Sequence, residues 1–247
     1  MEKVISIINH KGGVGKTTTS ASIGAGLIKL GKKVLLIDLD PQANLTLHFG
    51  IAESGEDNIY GALRGDYKLP IKELENGIDL VISTLDLSAA ETELIGEAGR
   101  EILLKQLIKP IRKKYDYIII DCPPSLGLLT LNALSVSSSI IIPVDLSSFG
   151  LAGMSKLFEI VKKVKTRINP DFKGYKILIT KLDKRKVIHK DIKEALTEKY
   201  KDKLFKTEIG MNVALEEAQA KGKNIFEYNE KSSGAEDYLS VCKEIIN

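Results

Sequence analysis

The residues best suited to chemistry form a glycine-rich run near the amino terminus. It reads Lys11-Gly12-Gly13-Val14-Gly15-Lys16-Thr17-Thr18. Glycines let the backbone turn so that successive N–H groups point at phosphate oxygens, and a following helix start adds partial positive charge. In such a loop Lys16 reaches the β- and γ-phosphates of a nucleotide, and Thr17 offers a hydroxyl to Mg²⁺. The run therefore predicts a phosphate-binding loop.

Three carboxylates follow apolar runs elsewhere in the chain. The run 34–40 contains Asp38 and Asp40, whose spacing of two puts both on one face of a strand. The run 117–121 has four apolar residues and then Asp121, a pattern that holds Mg²⁺ through water in phosphate-binding enzymes. We expect these carboxylates beside the phosphate loop, with Asp38 bonded to the loop's hydroxyl or lysine groups.

The elements that must position these groups alternate along the chain. Strands are predicted at 4–9, 34–40, 78–83, 117–121, 139–144 and 175–180, with a weaker one at 205–209. Helices are predicted at 17–30, 101–113, 126–136, 151–167, 189–200, 213–221 and 235–246, and residues 49–76 are expected to form loops with short helices over the sheet edge. Continuously apolar runs such as Val-Leu-Leu-Ile are typical of parallel strands buried on both faces. The pattern predicts an α/β fold of the P-loop NTPase type, a doubly wound, mostly parallel sheet with helices on both faces.

The composition excludes several other classes of protein. The chain has 247 residues and no linker or internal repeat, which predicts one domain spanning residues 1–247. Its two cysteines, Cys122 and Cys242, are far apart and lack ligand spacing, so we expect neither a disulfide nor a cysteine metal site, and a cytoplasmic location. No apolar run reaches the roughly 18 residues of a membrane span. The apolar pattern at the amino terminus is too short, and the segment too acidic, for a signal peptide.

The net charge of +3 hides an uneven distribution. Residues 151–206 carry 17 Lys/Arg against 7 Asp/Glu, a net +10, whereas the flanking segments are acidic. Five cations lie within ten residues: Lys181, Lys184, Arg185, Lys186 and Lys190. Such a cluster can bind the phosphates of duplex DNA without reading its bases. The alternative is that these lysines only solvate outer helix faces, and the same two interpretations remain open for Lys162, Lys163 and Lys165.

The phosphate loop departs from the common G-x-x-x-x-G-K-[ST] pattern. His10 occupies the first glycine position, and Lys11 follows it at once. Lys-Gly-Gly-x-Gly-Lys-Thr is the deviant Walker A signature of the ParA/MinD family, and the chain resembles the ParA/Soj-like partition ATPases over essentially its whole length. The segment Asp-Cys-Pro-Pro-Ser at 121–125 and the closing segment 223–237 are similar to those of the family. Cys122 is expected to be a small residue packed behind the site.

The resemblance implies further roles for individual residues. In the family the lysine matching Lys11 reaches across a dimer interface to the phosphates of the other subunit, and the carboxylate matching Asp40 helps to place the attacking water. Gly210 and Asn212 match the segment that contacts adenine, although the usual proline is Gly210 here. Arg185 matches a family arginine that binds non-specific DNA, whereas a second such arginine is replaced by Ala214.

The function implied by this resemblance is that of a slow, Mg²⁺-dependent ATPase with ATP, ADP and Mg²⁺ as its cofactors. It would form a homodimer when ATP is bound, bind non-specific duplex DNA at the nucleoid, and be stimulated by a ParB-type centromere-binding or adaptor protein. Its cargo would be a plasmid or a chromosome.

Two other functions compete with this interpretation. A MinD-like membrane-associated ATPase needs a cationic, amphipathic terminal helix. The segment 235–247 has three acidic residues and one lysine, so we expect a helix docked on the domain and no membrane partner. An ATP-dependent small-molecule enzyme on the same fold would not explain Lys11 or the basic segment.

Overall fold

The computed structural model describes residues 3–52, 57–146 and 151–247, and only the backbone of 151–153. Within these ranges seven strands, β1 to β7, form one sheet: Lys3–Ile7, Val34–Asp38, Lys72–Glu73, Asp79–Val81, Tyr117–Asp121, Ser139–Asp145 and Gly174–Thr180. Their order across the sheet is β3-β4-β2-β5-β1-β6-β7. Only the short edge strand β3 runs antiparallel to its neighbour. The predicted mostly parallel sheet is confirmed.

Helices connect the strands and cover both faces of the sheet. The described ranges contain eleven α-helices, α1 to α11: Lys16–Lys29, Asn44–His48, Ile59–Arg64, Ala90–Glu93, Leu103–Ile108, Leu128–Val136, Leu151–Arg167, Val187–Tyr200, Val213–Ala220, Ile225–Asn229 and Ser233–Ile246. The longer ones agree with the predicted positions to within a few residues, apart from α5. The four short helices α2, α3, α4 and α10 have too few residues to show a helical period in the sequence.

Successive strand residues face two separate apolar cores. In β2, Leu35 and Ile37 belong to a cluster with residues of α5, α6 and α7, whereas Val34 and Leu36 belong to a cluster with α1, α9 and α11. Because side chains alternate across a strand, a strand can supply both cores only if it is apolar at every position. This explains why the strands of this protein are continuously apolar rather than alternating.

The helix predicted at 101–113 is shorter than expected. Only Leu103–Ile108 is α-helical, and it is flanked by single 3₁₀ turns at Arg100–Ile102 and Arg112–Lys114. Pro110 lies between the helix and the second turn. Proline has no N–H to donate and disfavours helical geometry in the residue before it, so it ends the helix.

The weaker strand predicted at 205–209 is absent from the described sheet. The Phe205 and Ile209 N–H groups do bond to the β7 carbonyls of Ile177 and Ile179. Between them, however, the N–H groups of Lys206 and Thr207 bond to the Glu244 carboxylate of α11, at 2.9 and 2.8 Å. A continuous ladder cannot form because a side chain from a distant helix takes these donors.

The segment 49–76 agrees with the expectation of loops and short helices, although its residues 53–56 lie outside the described ranges. It contains α3 and leads into β3, which turns back on β4 through Gly77. The Leu74 N–H closes this turn on the Ile78 carbonyl at 2.8 Å. The antiparallel edge was not predicted because β3 is only two residues long.

The last helix, α11, is packed against α1. Tyr238, Val241 and Cys242 are fully buried there, and Tyr238 shares a hydrogen bond with Thr19 of α1 at 3.0 Å. The prediction of a docked helix is therefore confirmed. None of the helices in the described ranges combines the length and apolarity needed to cross a bilayer.

The contact between α1 and α11 depends on the absence of a side chain at Gly26. A Cβ at this position would lie 2.7 Å from the Cys242 Sγ and 3.3 Å from the Phe226 Cζ. We expect Gly26→Ala to lower the free energy of unfolding by about 1–2 kcal/mol, because overpacking exceeds the roughly 1 kcal/mol gained in helix propensity. Urea unfolding measures this difference.

The matched control is Cys242→Ala in the Gly26→Ala background. Removing the sulfur leaves room for the new methyl group, so the second substitution should recover part of the loss. If the two substitutions destabilise additively, the Sγ contact is not the cause.

Candidate functional site

The loop between β1 and α1 is shaped to receive an anion. Gly13 and Gly15 have φ angles of 75° and 84°, a left-handed conformation that favours glycine. A Cβ built on Gly12, Gly13 or Gly15 meets no protein atom within 4 Å, so the space above the loop is open. The helix α1 starts at Lys16 and adds its partial positive charge. This backbone can approach phosphate oxygens closely.

Two lysines mark the ends of the loop. Lys16 is 8% exposed, and its Nζ donates to the Lys11 carbonyl at 3.2 Å. The Lys11 N–H donates to Asn9 Oδ1, and Asn9 Nδ2 donates to the Pro143 carbonyl of β6. Burial lowers the pKa of Lys16, while the charges of Asp121 and Asp40 oppose that shift. The loop is thus tied to the sheet at its start and carries a buried cation at its end.

Asp121 lies at the point where three strands end together. In the sheet register it pairs with Ile7 of β1 and with Asp38 of β2. Its two oxygens accept hydrogen bonds from Thr17 Oγ1 at 2.7 Å and from Ser20 Oγ at 3.0 Å. Burial raises the pKa of Asp121, although both hydrogen bonds and the Lys16 charge oppose the increase.

These oxygens suit a hard divalent cation. Mg²⁺ is usually bound through one or two protein oxygens, with phosphates and water completing its coordination. Thr17 and Asp121 supply a hydroxyl and a carboxylate next to the phosphate loop. The described residues contain no group of three or more His, Cys, Asp or Glu side chains arranged for a metal. Thr17 and Asp121 could thus supply two protein oxygens to Mg²⁺ whose other ligands are phosphate oxygens and water.

The other two carboxylates differ from each other. Both Asp38 oxygens are used within the second βα connection, by the Thr46 N–H and hydroxyl at 2.8 Å each and by the Asp40 N–H at 3.1 Å. The expectation that Asp38 bonds to the phosphate loop is therefore wrong. Burial, and then the charge of Asp121, raise the pKa of Asp38.

Asp40 is held by the same connection. Its Oδ1 accepts from the Gln42 N–H at 3.0 Å, and its carbonyl accepts from Ser83 Oγ at 2.8 Å. Asp40 is 6% exposed and lies close enough to Lys16 for its charge to influence the Lys16 pKa. Asp38 is a structural support for this turn, and Asp40 is the carboxylate that it positions.

A cavity of about 520 Å³ adjoins the phosphate loop, and we call it the loop-side cavity. It is lined by Gly15, Thr18, Thr180, Lys181, Tyr238 and residues of 209–219 that include Gly210 and Asn212. Asn212 Oδ1 caps α9 through the Ala214 N–H, and its Nδ2 donates to Ser233 Oγ at 2.6 Å. Both residues predicted to contact adenine thus lie in the wall of this cavity.

Lys181 also lines the loop-side cavity. It has a φ angle of 53°, an unusual conformation for a residue with a side chain. Next to it, Thr180 Oγ1 donates to the Val14 carbonyl of the phosphate loop at 2.9 Å. Sequence alone grouped Lys181 with the other cations, but the left-handed turn places it beside the cavity.

The remaining predicted cations lie where the loop after β7 enters α8. Lys184, Arg185, Lys186 and Lys190 are exposed, and we call these four the basic cluster. Ala214 lies at the start of α9 and is partly buried against the apolar core. Lys156, Lys162, Lys163 and Lys165 occupy the solvent side of α7, which also fits an ordinary solvated helix face.

Some site residues were not predicted. Ser20 lies one turn after Lys16 and three residues after Thr17, so helical spacing already put its hydroxyl on the same face of α1. Thr46, from the short helix α2, and Tyr238, from the last helix, gave no local signal. Cys122 is fully buried, and burial raises its thiol pKa, as expected of a residue packed behind the site.

Comparison with known proteins gives three findings. The AAA domain family matches residues 2–174. The sporulation initiation inhibitor protein Soj of Bacillus subtilis (strain 168) is 43% identical over 250 residues, covering 99% of this chain and 98% of Soj. The chromosome partitioning protein ParA of Myxococcus xanthus (strain DK1622) is 41% identical over 250 residues, covering 99% and 88% of the two chains.

A solved structure also resembles this chain throughout. Cobyrinic acid a,c-diamide synthase from Mycobacterium smegmatis, with bound ADP and magnesium, superposes with a TM-score of 0.88 at 32% identity. The match covers 100% of this chain and 94% of that one. The matched regions therefore span the phosphate loop, the carboxylates and the basic segment.

The raised pKa of Asp121 predicts that the protein becomes less stable as the pH rises. A carboxyl group whose pKa is higher in the folded than in the unfolded protein lowers the free energy of unfolding as the pH rises. The loss begins near the unfolded pKa, about 4, and is complete above the folded pKa. Asp121→Asn removes this loss and keeps an oxygen for the hydroxyl donors. The free energy of unfolding of the variant minus that of the wild type should therefore increase by about 1–3 kcal/mol between pH 4 and pH 8.

Urea unfolding across this pH range checks the prediction. Ser20→Ala is the control, because it keeps the Asp121 carboxyl but removes one of the hydrogen bonds that lower its pKa. The free energy of unfolding of this variant should therefore fall more steeply with pH than that of the wild type. If the difference in free energy of unfolding between Asp121→Asn and the wild type does not change with pH, the pKa of Asp121 is not raised.

Proposed function

This chain belongs to the ParA/Soj family of partition ATPases, and on that premise we propose that it is a nucleotide-dependent switch that moves a plasmid or chromosome. The observation that carries the proposal is the phosphate loop itself. Lys11 and Lys16 enclose its glycines, and Thr17 is bonded to the buried Asp121. Identity is higher to Soj and ParA than to the structure named as a synthase, which favours partition over small-molecule chemistry.

Nucleotide binding uses the loop and the loop-side cavity together. The loop N–H groups and Lys16 would hold the phosphates, and the adenosine part would enter the cavity beside Gly210 and Asn212. Mg²⁺, held at Thr17 and Asp121, would neutralise charge on the β- and γ-phosphates. Asp40 would orient the attacking water, because its turn fixes the carboxylate beside Lys16.

Dimerisation would complete the site. The transferring phosphoryl group develops charge on its oxygens, and a cation supplied by a second subunit can stabilise that charge. Lys11 stands at the start of the loop, where a facing copy of the chain could approach the open space above the glycines. In this scheme each Lys11 serves the nucleotide of the other subunit, and hydrolysis separates the pair.

The ATP-bound homodimer would bind duplex DNA through the basic cluster. The four cations of the cluster are exposed and lie in a loop and the first residues of α8. This placement suits contacts to DNA phosphates that do not depend on the base sequence. A ParB-type centromere-binding or adaptor protein would then stimulate hydrolysis and release the dimer from the nucleoid. We propose that this cycle takes place in the cytoplasm, without a membrane partner, on one domain formed by residues 1–247.

Lys11→Ala tests the contribution of the second subunit. We expect ATP-dependent dimerisation to be lost and ATP turnover to fall by a factor of about 10³ or more, because removal of a cation supplied in trans has effects of this size. Nucleotide binding to the monomer should remain. Light scattering, phosphate release and binding of a fluorescent ATP analogue measure the three properties.

Two control variants make this experiment specific. His10→Ala changes the neighbouring residue and should leave turnover intact, whereas Lys16→Ala should abolish nucleotide binding itself. If Lys11→Ala dimerises and hydrolyses ATP at the wild-type rate, Lys11 does not act across an interface.

Arg185→Glu tests the basic cluster. We expect the affinity of the ATP-bound protein for a labelled duplex of arbitrary sequence to fall at least about tenfold at low salt, since each phosphate contact contributes a counterion-release term. Fluorescence anisotropy over a KCl series measures both the affinity and its salt dependence.

Lys113→Glu makes the same change of charge on a 3₁₀ turn that precedes β5, at the opposite end of the sheet from the site. It should leave DNA binding nearly unchanged. Equal losses for the two variants would indicate a general effect of charge rather than a defined surface.

A further inference from the structure

One cation of the basic cluster, Arg185, is already paired within the chain. Arg185 Nε and Nη2 donate to the two carboxylate oxygens of Asp183, each at 2.9 Å. The Arg185 N–H also donates to Asp183 Oδ1 at 3.1 Å. These hydrogen bonds hold the pKa of Asp183 well below its usual range. The guanidinium is therefore bound bidentately, in the geometry that it would use for a phosphate.

The pair is asymmetric, because one partner is anchored and the other is not. The Asp183 side chain is 11% exposed, whereas that of Arg185 is 89% exposed. The Asp183 N–H donates to Nδ1 of the buried His189 at 3.2 Å, and the neighbouring Leu182 N–H donates to the Ile209 carbonyl. The carboxylate is thus fixed by the surrounding backbone, and the long arginine side chain is the part that can move.

A phosphate and Asp183 would compete for the same guanidinium. Arginine has five N–H donors, and Asp183 takes two of them. The remaining donors face solvent, so an incoming phosphate is not blocked, but it meets a guanidinium whose charge is offset by a carboxylate. Within the described residues, Lys184, Lys186 and Lys190 form no salt bridge. The Lys186 charge also contributes to the low pKa of Asp183, but Arg185 is the cation whose side chain is hydrogen-bonded to this carboxylate.

We propose that Asp183 is an intramolecular competitor for DNA phosphate at Arg185 and so limits the DNA affinity of the protein. The proposal rests on the DNA binding put forward as part of the proposed function. Asp183 is a positioning residue rather than a DNA contact. It lies two residues after Lys181, which lines the loop-side cavity, so the competitor is built on the same segment as the nucleotide site.

The test is a cycle of variants in the full-length, ATP-bound protein. Asp183→Asn keeps a side-chain oxygen for the Arg185 N–H but removes the charge. Binding of a fluorescein-labelled duplex of arbitrary sequence is measured by anisotropy over a KCl series. We expect Asp183→Asn to tighten binding about two- to fivefold at low salt, and the slope of log K against log[KCl] to steepen by about 0.9.

Asp191→Asn is the matched control, because it removes an exposed carboxylate from α8 that has no bond to Arg185. Its effect should be smaller. In an Arg185→Gln background the gain from Asp183→Asn should shrink to the size of this control. The proposal is overturned if Asp183→Asn binds DNA no more tightly than the wild type, or if its full gain persists without Arg185.

The outcome for the wild type separates this proposal from the proposed function. If the wild type binds DNA in a salt-dependent way but Asp183→Asn brings no gain, only the competitor is wrong. If neither the wild type nor Asp183→Asn binds DNA although ATP is still hydrolysed, both the DNA-binding function and the competitor are wrong. Thermal unfolding of each variant establishes that it is folded.

Discussion

A carboxylate buried where three parallel strands end is the constraint around which this protein is organised. Asp121 has no solvent to stabilise its charge, so it must be compensated by hydroxyls and by a cation. Thr17, Ser20 and Lys16 supply them, and all three belong to the first turns of one helix. The carboxylate therefore fixes the position of α1 relative to the sheet. The same bonds that hold the helix also fix the loop that leads into it.

Much of this arrangement is encoded locally and could be predicted. Continuously apolar runs located six of the strands, and the residues that follow those strands located the phosphate loop and the carboxylates. Ser20 was not predicted, although helical spacing puts it on the same face of α1 as Thr17. The predicted loop and carboxylates lie within a few residues of strand ends, where parallel α/β sheets generally place their ligand-binding residues.

The predictions failed where a distant group or an unusual backbone conformation decides the structure. Residues 205–209 form no strand because Glu244, far along the chain, takes two of their N–H groups. Asp38 bonds to Thr46 rather than to the loop, since the intervening turn brings that residue back to it. The position of Lys181 beside the loop-side cavity was likewise not expected, because its left-handed backbone conformation has no signal in the sequence. Neither the spacing of apolar residues nor the composition of the sequence indicates such contacts and conformations.

The two cysteines have a practical consequence. Cys122 is sealed behind the site and Cys242 lies between α1 and α11, each without solvent exposure. Burial raises both thiol pKa values, so little of the reactive thiolate forms near neutral pH. The folded protein thus resembles a cysteine-free one towards maleimide reagents. A single cysteine introduced on its surface would be the one labelled position, and a fluorophore there could follow individual molecules without removal of either native thiol.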